Sequence, residues 1–320
     1  MSMKSLLWKA MFVAALGLAG FLLYRIFHQY SANQILESFA RIPAYNLLLA
    51  ALAAAGSYLC LTGFDFLAIR SIGKKIAYRR IALASFVSLS LGHNIGFAGL
   101  SSGAFRYRFY SRWGLSTEDV AKIILFCGVT VGMGLVGLGG MALIVNPADA
   151  AALLGLSEAS ARVAGLGLLL VPMAYVALAA LVRARLHLWR WSLQLPSPGI
   201  AILQVAVGTS NFAFVSACLH ALLAAFGNVA FLQSVTAFVL ANSAVLATHV
   251  PGGLGVLETT VQHVVPDAAS IGALIAFRAI YFVLPLILGT GLLFIFEFIP
   301  GRSRPGKEPQ AGKPAQASSA

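Results

Sequence analysis

Charged residues are scarce in this chain of 320 residues, since Asp, Glu, Lys and Arg together make up only 10% of it. Soluble globular domains carry about 25% charged residues. Hydrophobic residues make up 59% of the chain, and its mean hydropathy is +0.87. This balance excludes an ordinary soluble enzyme and a disordered protein, and it predicts that lipid surrounds most of the chain.

The sequence also has few cysteines and no recognisable catalytic motif. The three cysteines, Cys60, Cys127 and Cys218, lie inside apolar runs, so the sequence offers no disulfide framework and no CxxC metal site. Motifs of serine hydrolases, ATP-binding loops and dinucleotide-binding loops are missing from any suitable strand–turn–helix context. The sequence therefore assigns no catalytic residue, metal or cofactor, and we expect a protein that is not an enzyme.

Negative charge is rarer than positive charge, because 10 Asp and Glu stand against 22 Lys and Arg, for a net charge of +12. In a membrane protein such an excess indicates topology and contact with anionic lipid headgroups, and not binding of nucleic acid. We therefore expect the membrane, and above all phospholipid, as the partner of this chain.

The hydrophobic residues fall into eight segments, at residues 8–28, 45–69, 81–100, 119–145, 163–182, 201–226, 231–250 and 271–298. About 20 residues cross a bilayer as a helix, and six segments meet this requirement cleanly. The third segment breaks into glycine and serine after Leu91, and the seventh ends in proline and glycine from Pro251. Irregular backbone at membrane depth is tolerated only next to protein or water, so both breaks predict kinked hairpins inside the bundle.

An offset of 152 residues relates the two halves of the chain. It places Gly103 on Gly255, Arg106 on Glu258, and the first apolar segment on the fifth. Each half therefore has four elements, of which the third is the broken one. Residue identity between the halves is weak, so the repeat is one of architecture.

The distribution of Lys and Arg decides between two topologies. If all eight segments cross, the basic residues divide about equally between the two sides. If 81–112 and 231–266 are re-entrant, 18 of the 22 face the inside, and the positive-inside rule favours this arrangement. Three crossings per half then turn the second half upside down, as in many transporters.

We therefore predict an all-α integral membrane protein, a polytopic helical bundle of two inverted four-element repeats with six crossings and two broken re-entrant hairpins. Eight continuous spans are the alternative. Residues 1–299 form one membrane domain, with repeat halves of about 1–150 and 151–299. Residues 300–320 are predicted to be a disordered cytoplasmic tail, because Pro, Gly, Ser, Ala and Lys dominate them.

The two breaks also carry the candidate binding residues. After the first break, a serine–glycine turn leads into a helix whose guanidinium groups suit a phosphate. Arg106 is the stronger candidate, because Arg108 is also explained as part of a cytoplasmic basic patch. After the second break, Glu258 is an intramembrane carboxylate, and Arg278 either pairs with it or snorkels to the interface. The predicted binding set is Ser101, Ser102, Gly103, Arg106, Arg108, Pro251, Gly252, Gly253, Gly255, Glu258 and Arg278.

A second group of polar residues supports these sites. Such residues often only form hydrogen bonds between neighbouring helices, and nothing in their spacing indicates a metal site. The supporting residues are Asp65, His93, Asn94, Asn211, His249 and Tyr281.

Several of these motifs resemble a known family. The stretch from Gly99 to Gly114 and the motif from Pro251 to Glu258 are similar to those of the YbhN-type bacterial inner-membrane family; further matches are Phe64-Asp65, Ser210-Asn211, and Arg278 with Tyr281 and Pro285. That family resembles the membrane domain of lysylphosphatidylglycerol synthase, which is associated with flipping aminoacylated phospholipid. The resemblance covers about residues 5–300. It implies a multi-pass protein of the bacterial inner membrane. The distribution of Lys and Arg places both termini in the cytoplasm.

Three functions remain open from the sequence. The first is a flippase-like translocator of a phospholipid or another anionic amphiphile. The second is an intramembrane enzyme that modifies lipid headgroups, with His93, His249 or Glu258 as its acid or base. The third is a scaffold that only binds lipid. The resemblance does not extend to a soluble aminoacyl-transferase domain, so it does not imply aminoacyl transfer.

Overall fold

The computed structural model describes residues 32–95, 98–182, 185–188, 191–248, 255–268 and 270–298. The first predicted crossing (8–28), His249, Pro251, Gly252, Gly253 and the predicted tail (300–320) lie outside the described residues. The side chains of Asn94 and Ser101 are not described either. The division into a membrane domain and a tail stays a prediction.

Helices dominate the described part of the chain. In order they are α1 (Ala32–Arg41), α2 (Ala44–Ser71), α3 (Tyr78–Ile95), α4 (Ala98–Arg112), α5 (Thr117–Val145), α6 (Pro147–Leu154), α7 (Glu158–Leu181), α8 (Pro198–Leu223), α9 (Phe231–Thr248), α10 (Val256–Val264), α11 (Ile271–Arg278) and α12 (Leu284–Phe298). A π-helical turn, Ala279–Val283, joins α11 to α12, and we call this continuous unit the last span.

Serine starts four of these helices. The hydroxyls of Ser116, Ser157, Ser197 and Ser270 each accept a backbone N–H at the starts of α5, α7, α8 and α11. At α5 the cap is reciprocal, because Asp119 Oδ2 also accepts the backbone N–H of Ser116. These caps satisfy N–H groups that a helix start otherwise leaves unpaired.

Within the described residues, five helices are long and apolar enough to cross a membrane: α2, α5, α7, α8 and Ile271–Glu297 of the last span. They match five of the six predicted crossings, and the sixth lies outside the described residues. The two segments predicted to be broken do not form such a helix. The chain is therefore a polytopic helical membrane protein, as predicted.

The third segment forms a helical hairpin, α3–α4, that enters and leaves at one end of the bundle. Arg80 at the start of α3 stacks over Trp113, which directly follows α4, at 5.8 Å from the ring centroid. Lys74, just before α3, pairs with Asp119 at the start of α5 at 3.3 Å. We call this the basic end, since residues 70–80 and 108–122 are both rich in Lys and Arg.

The seventh segment forms the second hairpin, α9–α10, which opens at the opposite end. Asn46 near the start of α2 donates to the backbone carbonyl of Ala221 near the end of α8, at 2.7 Å. Because α2 has 28 residues and spans roughly 40 Å, this end lies far from the basic end. A short loop that contains Phe226 joins the end of α8 to the start of α9. The start of α11, which follows α10, lies against Phe226.

The two hairpins therefore open at opposite ends of the bundle, as the inverted arrangement predicts. The same packing occurs twice. Each hairpin packs against the second helix of its own half, α3 on α2 and α9 on α8. Each also packs against the long final helix of the other half, α3 on α12 and α9 on α5. At the centre, α2 and α8 lie against each other.

Two features depart from the prediction. A two-stranded antiparallel ribbon, β1 (Arg185–Leu188) with β2 (Trp191–Gln194), lies in a loop that the apolar pattern leaves without structure. The last span is not a regular helix, because the π-helical turn adds a residue to one turn of it. Such turns often occur at functional positions.

Candidate functional site

The first hairpin carries a buried ion pair at Arg106. This residue lies in the middle of α4, and its guanidinium faces Asp65 in α2, with Nη2–Oδ1 at 2.8 Å and Nε at 3.1 Å from both carboxylate oxygens. Asp65 is fully buried and Arg106 is 2% exposed. Because both charged groups are shielded from water, each depends on the other for its counter-charge.

Three further side chains complete this pair. Tyr110, one helical turn after Arg106, donates its hydroxyl to Asp65 Oδ2 at 2.7 Å. Cys127 of α5 donates its thiol to Asp65 Oδ1 at 3.2 Å, and Ser102 accepts from Arg106 Nη1 at 2.8 Å. Asp65 therefore receives hydrogen bonds from α4 and α5 while it lies on α2, and it ties the first hairpin to two spans.

The second hairpin carries the predicted pair of Glu258 and Arg278. Glu258 Oε1 accepts from Arg278 Nη2 at 2.7 Å and from Nε at 2.9 Å, which confirms that these residues pair. The second oxygen of Glu258 accepts the backbone N–H of Gly255 at 2.9 Å, so Glu258 also caps α10. Gly255 has a φ of +81°, a conformation that glycine adopts without strain.

Arg278 lies immediately before the π-helical turn. Arg106 of the first hairpin pairs with Asp65 on α2, which is a regular helix. Glu258 of the second hairpin instead pairs with the last span beside its irregular turn. The side chain of Glu258 remains 25% exposed, in contrast to Asp65.

Arg108 faces away from Arg106, as its position on the helix predicts. Both oxygens of Glu297, near the end of α12, accept from Arg108 at 2.8 Å, and Oε2 also accepts from Arg112 at 2.8 Å. Arg108 is therefore committed to this pair and does not join Arg106. The contact ties the exit of the first hairpin to the end of the last span.

Asn211 and Tyr281 meet in a buried network between the central helices. Ser57 of α2 donates to Asn211 Oδ1 at 2.7 Å and lies 2.8 Å from the hydroxyl of Tyr281. Tyr58 donates to the backbone carbonyl of Tyr281, a group at the π-helical turn, at 3.3 Å. These supporting residues connect α2, α8 and the last span, but they do not reach either ion pair directly.

The remaining predicted residues have simpler places. Gly103 is tightly packed, because an added Cβ would lie 2.8 Å from Ile124. His93 stands close to Tyr58, with ring centroids 6.4 Å apart, and its buried Nδ1 has no hydrogen-bond partner among the described residues. Among the described residues, no group of three or more His, Cys, Asp or Glu could hold a metal ion.

Sequence reasoning missed four members of these sites, namely Tyr110, Cys127, Arg112 and Glu297. Tyr110 was detectable, since it follows Arg106 by four residues and shares its helix face. Glu297 was also detectable as a carboxylate near the end of an apolar run. No local pattern indicated Cys127, which reads as an ordinary packing residue.

Comparison with known proteins adds a family to this geometry. A family model described as the lysylphosphatidylglycerol synthase TM region matches residues 12–289. The uncharacterized protein slr0712 of Synechocystis sp. is 29% identical over 279 residues, 86% of this chain and 87% of that protein. The inner membrane protein YbhN of Escherichia coli is 28% identical over 271 residues, 80% of this chain and 82% of that protein.

Proposed function

Because this chain belongs to the family of the lysylphosphatidylglycerol synthase TM region, we propose that it moves an amphiphile with an anionic headgroup, most simply a phospholipid, between the leaflets of a membrane. One observation carries the proposal. Two hairpins open at opposite ends of the bundle, and each holds a charged residue at an equivalent position, Arg106 or Glu258, in an ion pair. Inverted repeats with broken helices are a recurring plan for alternating access.

Arg106 is the residue we assign to the headgroup. A phosphate presents oxygens much as a carboxylate does, so it can replace Asp65 on the planar guanidinium without leaving the arginine unpaired. Ser102, whose hydroxyl accepts from Arg106 Nη1, lies beside the guanidinium and can donate its own proton to the headgroup. Opening of the first hairpin would then exchange one ion pair for another.

Glu258 and Arg278 form the corresponding pair for the opposite leaflet. Release of Arg278 from Glu258 frees a second guanidinium, next to the π-helical turn. The last span is paired to both hairpins, through Arg278 at one end and Glu297 at the other. A movement of this span therefore acts on both hairpins, and this is what alternating access requires.

The proposal places the basic end in the cytoplasm, since Lys and Arg are retained on that side. The chain after Phe298 then begins there. A bacterial inner membrane agrees with the name of the similar protein YbhN. Without a nucleotide-binding motif in the sequence, movement follows the lipid gradient or is coupled to an ion.

The test is lipid transfer in proteoliposomes that contain the purified full-length protein. Fluorescent phosphatidylglycerol in the inner leaflet becomes accessible to an external quencher only after it crosses the membrane. We expect transfer with the unmodified protein and at least tenfold slower transfer with Arg106→Gln. The control is Arg162→Gln, which removes an arginine from an exposed pair with Glu158 and leaves the rate unchanged.

A folded variant separates loss of transport from loss of structure. Asp65→Leu combined with Arg106→Met replaces the pair with apolar side chains, an exchange that proteins often tolerate. If this folded variant moves lipid as fast as the unmodified protein, the assignment of Arg106 to the headgroup is wrong. Mass spectrometry of the recovered lipid covers the enzymatic alternative, since a modified headgroup would contradict simple translocation.

A further inference from the structure

The basic end holds a second cluster of cationic and aromatic side chains, separate from both buried ion pairs. Trp113 and Phe296 lie side by side, with ring centroids 6.2 Å apart. Arg80 stacks on Trp113 and Arg112 stacks on Phe296, at 5.8 Å and 5.1 Å from the ring centroids. We call these four residues the basic–aromatic cluster. It joins the start of α3, the exit of α4 and the end of α12.

Positive charge exceeds negative charge in this cluster. Arg108 uses both oxygens of Glu297, and Arg112 shares the same carboxylate through one hydrogen bond from Nη2. A guanidinium has five N–H donors, so within the described part of the chain most of the Arg112 fork is available to a further acceptor. Arg80 has its ring contact with Trp113 but forms no ion pair with a carboxylate of the described residues. One carboxylate is therefore shared by Arg108 and Arg112, and Arg80 adds a third positive charge beside them.

An apolar surface continues from the cluster along α12. Leu288, Leu292 and Ile295 follow each other on one face of the helix and are 52%, 37% and 53% exposed. Their spacing of three to four residues makes a continuous stripe that leads to Phe296. In a membrane, this stripe faces acyl chains, and the arginines lie at headgroup level, where tryptophan is also commonly found.

We propose that the basic–aromatic cluster is a docking site for one anionic phospholipid. Its phosphate binds the guanidinium groups of Arg80 and Arg112, and its acyl chains lie along the stripe on α12. The chain after Phe298 is a poor occupant, because Arg302, Arg304, Lys307 and Lys313 give it the same sign of charge as the cluster. The site is independent of translocation, so a protein that moves no lipid would still hold one here.

The fluorescence of Trp113 provides the measurement. Replacement of Trp8, Trp189 and Trp191 by Phe in the full-length chain leaves Trp113 as the only tryptophan. Phospholipids with brominated acyl chains quench a nearby indole. We expect brominated phosphatidylglycerol to quench Trp113 at lower mole fractions than brominated phosphatidylcholine in mixed micelles.

Two charge-matched variants locate the site. Arg80→Gln should weaken the binding of phosphatidylglycerol about fivefold, the factor expected for one basic residue near a headgroup. Arg79→Gln removes the same charge from the neighbouring exposed residue, which has no ring contact among the described residues, and should have little effect. Equal effects of the two variants would indicate a diffuse surface potential and would overturn the proposal.

Further experiments distinguish a lipid phosphate from a free phosphate, and the basic–aromatic cluster from the Arg106 site. If inorganic phosphate displaces the brominated lipid at millimolar concentration, the site takes a free anion and not a lipid. If quenching is equal for both lipids, the site does not select a charge. Arg106→Gln should leave quenching intact even where transport is lost; loss of both would assign the lipid to the central pair instead.

Discussion

The two hairpins differ in how their charged residues are held. Arg106 projects from the first hairpin to a fully buried aspartate, whereas Glu258 projects from the second hairpin to an arginine and keeps a quarter of its side chain exposed. The hairpin therefore carries the cation in one half and the anion in the other. Similar architecture thus comes with reversed charge and with a different degree of exposure to water.

The final helices of the two halves differ as well. α5 runs without interruption from Thr117 to Val145, and the positions equivalent to Arg278 and Glu297 are Phe126 and Val145. The last span instead contains the π-helical turn and pairs with both hairpins. Among the described residues, charged coupling between the hairpins thus runs through one of the two related helices. The two halves share one arrangement of helices, and among the described residues the ion pairs that connect the two hairpins lie on the last span.

The largest expected effect concerns which side of the membrane each hairpin opens to. Lys75→Cys lies just before the first hairpin and Gln262→Cys near the end of the second, and both residues are exposed. In a chain with Cys60, Cys127 and Cys218 replaced by Ala, an impermeant thiol reagent should label Lys75→Cys only from the cytoplasm. It should label Gln262→Cys only from the outside.

Glu158→Cys at the start of α7 is the control for the outer side, because α5 carries the chain across from the basic end. Labelling of Lys75→Cys and Gln262→Cys from one side would contradict the inverted arrangement and remove the basis of alternating access.

The next largest effect is on folding. Asp65→Asn leaves the guanidinium of Arg106 buried without a counter-charge and should lower the free energy of unfolding by about 3–5 kcal/mol. Thermal unfolding followed by circular dichroism in one detergent measures the change. Glu37→Gln, at an exposed acid of α1, is the matched control. An Asp65→Asn protein as stable as this control would show that the pair does not hold the first hairpin.

Glu258→Ala should cost less, because water reaches part of this side chain and can solvate Arg278 after the change. We expect a loss of about 1.5–3 kcal/mol, the range for hydrogen bonds to charged groups. Asp65→Ala makes the same truncation at the first pair, and its unfolding in the same detergent provides the direct comparison. A loss from Glu258→Ala that equals or exceeds the loss from Asp65→Ala would reverse the order of the two pairs.

The fold was largely predictable from the sequence, and the partners of its charges were only partly so. The apolar lengths, the breaks at glycine and the placement of Lys and Arg predict the crossings and the hairpins, because each depends on local composition. The pairing of Glu258 with Arg278 was also within reach, since the two residues lie on consecutive elements. Asp65 was predicted only as a supporting residue, because its partner depends on how α4 returns past α2.

Arg108 shows more clearly why the partners of charged residues could not be predicted from the sequence. Its sequence context suits a phosphate site, yet its partner Glu297 lies 189 residues away, and the contact depends on the packing of the first hairpin against the last span. The π-helical turn has no sequence signal either. The turn contacts α2, and these contacts form only in the assembled bundle.

The smallest expected effect tests whether that turn is held by the central network. Tyr281→Phe removes the hydroxyl that lies 2.8 Å from Ser57, while Ser57 keeps Asn211 as its acceptor. A neutral hydrogen bond contributes about 0.5–1.5 kcal/mol, so we expect a loss of stability within this range. The bond from Tyr58 to the backbone carbonyl of Tyr281 is unaffected and should keep the turn in place. Tyr45→Phe, at an exposed tyrosine of α2, is the control. If Tyr281→Phe lowers the stability by much more than one hydrogen bond contributes, the hydroxyl, and not the packing of the ring, fixes the irregular turn. That turn is what distinguishes the last span from α5.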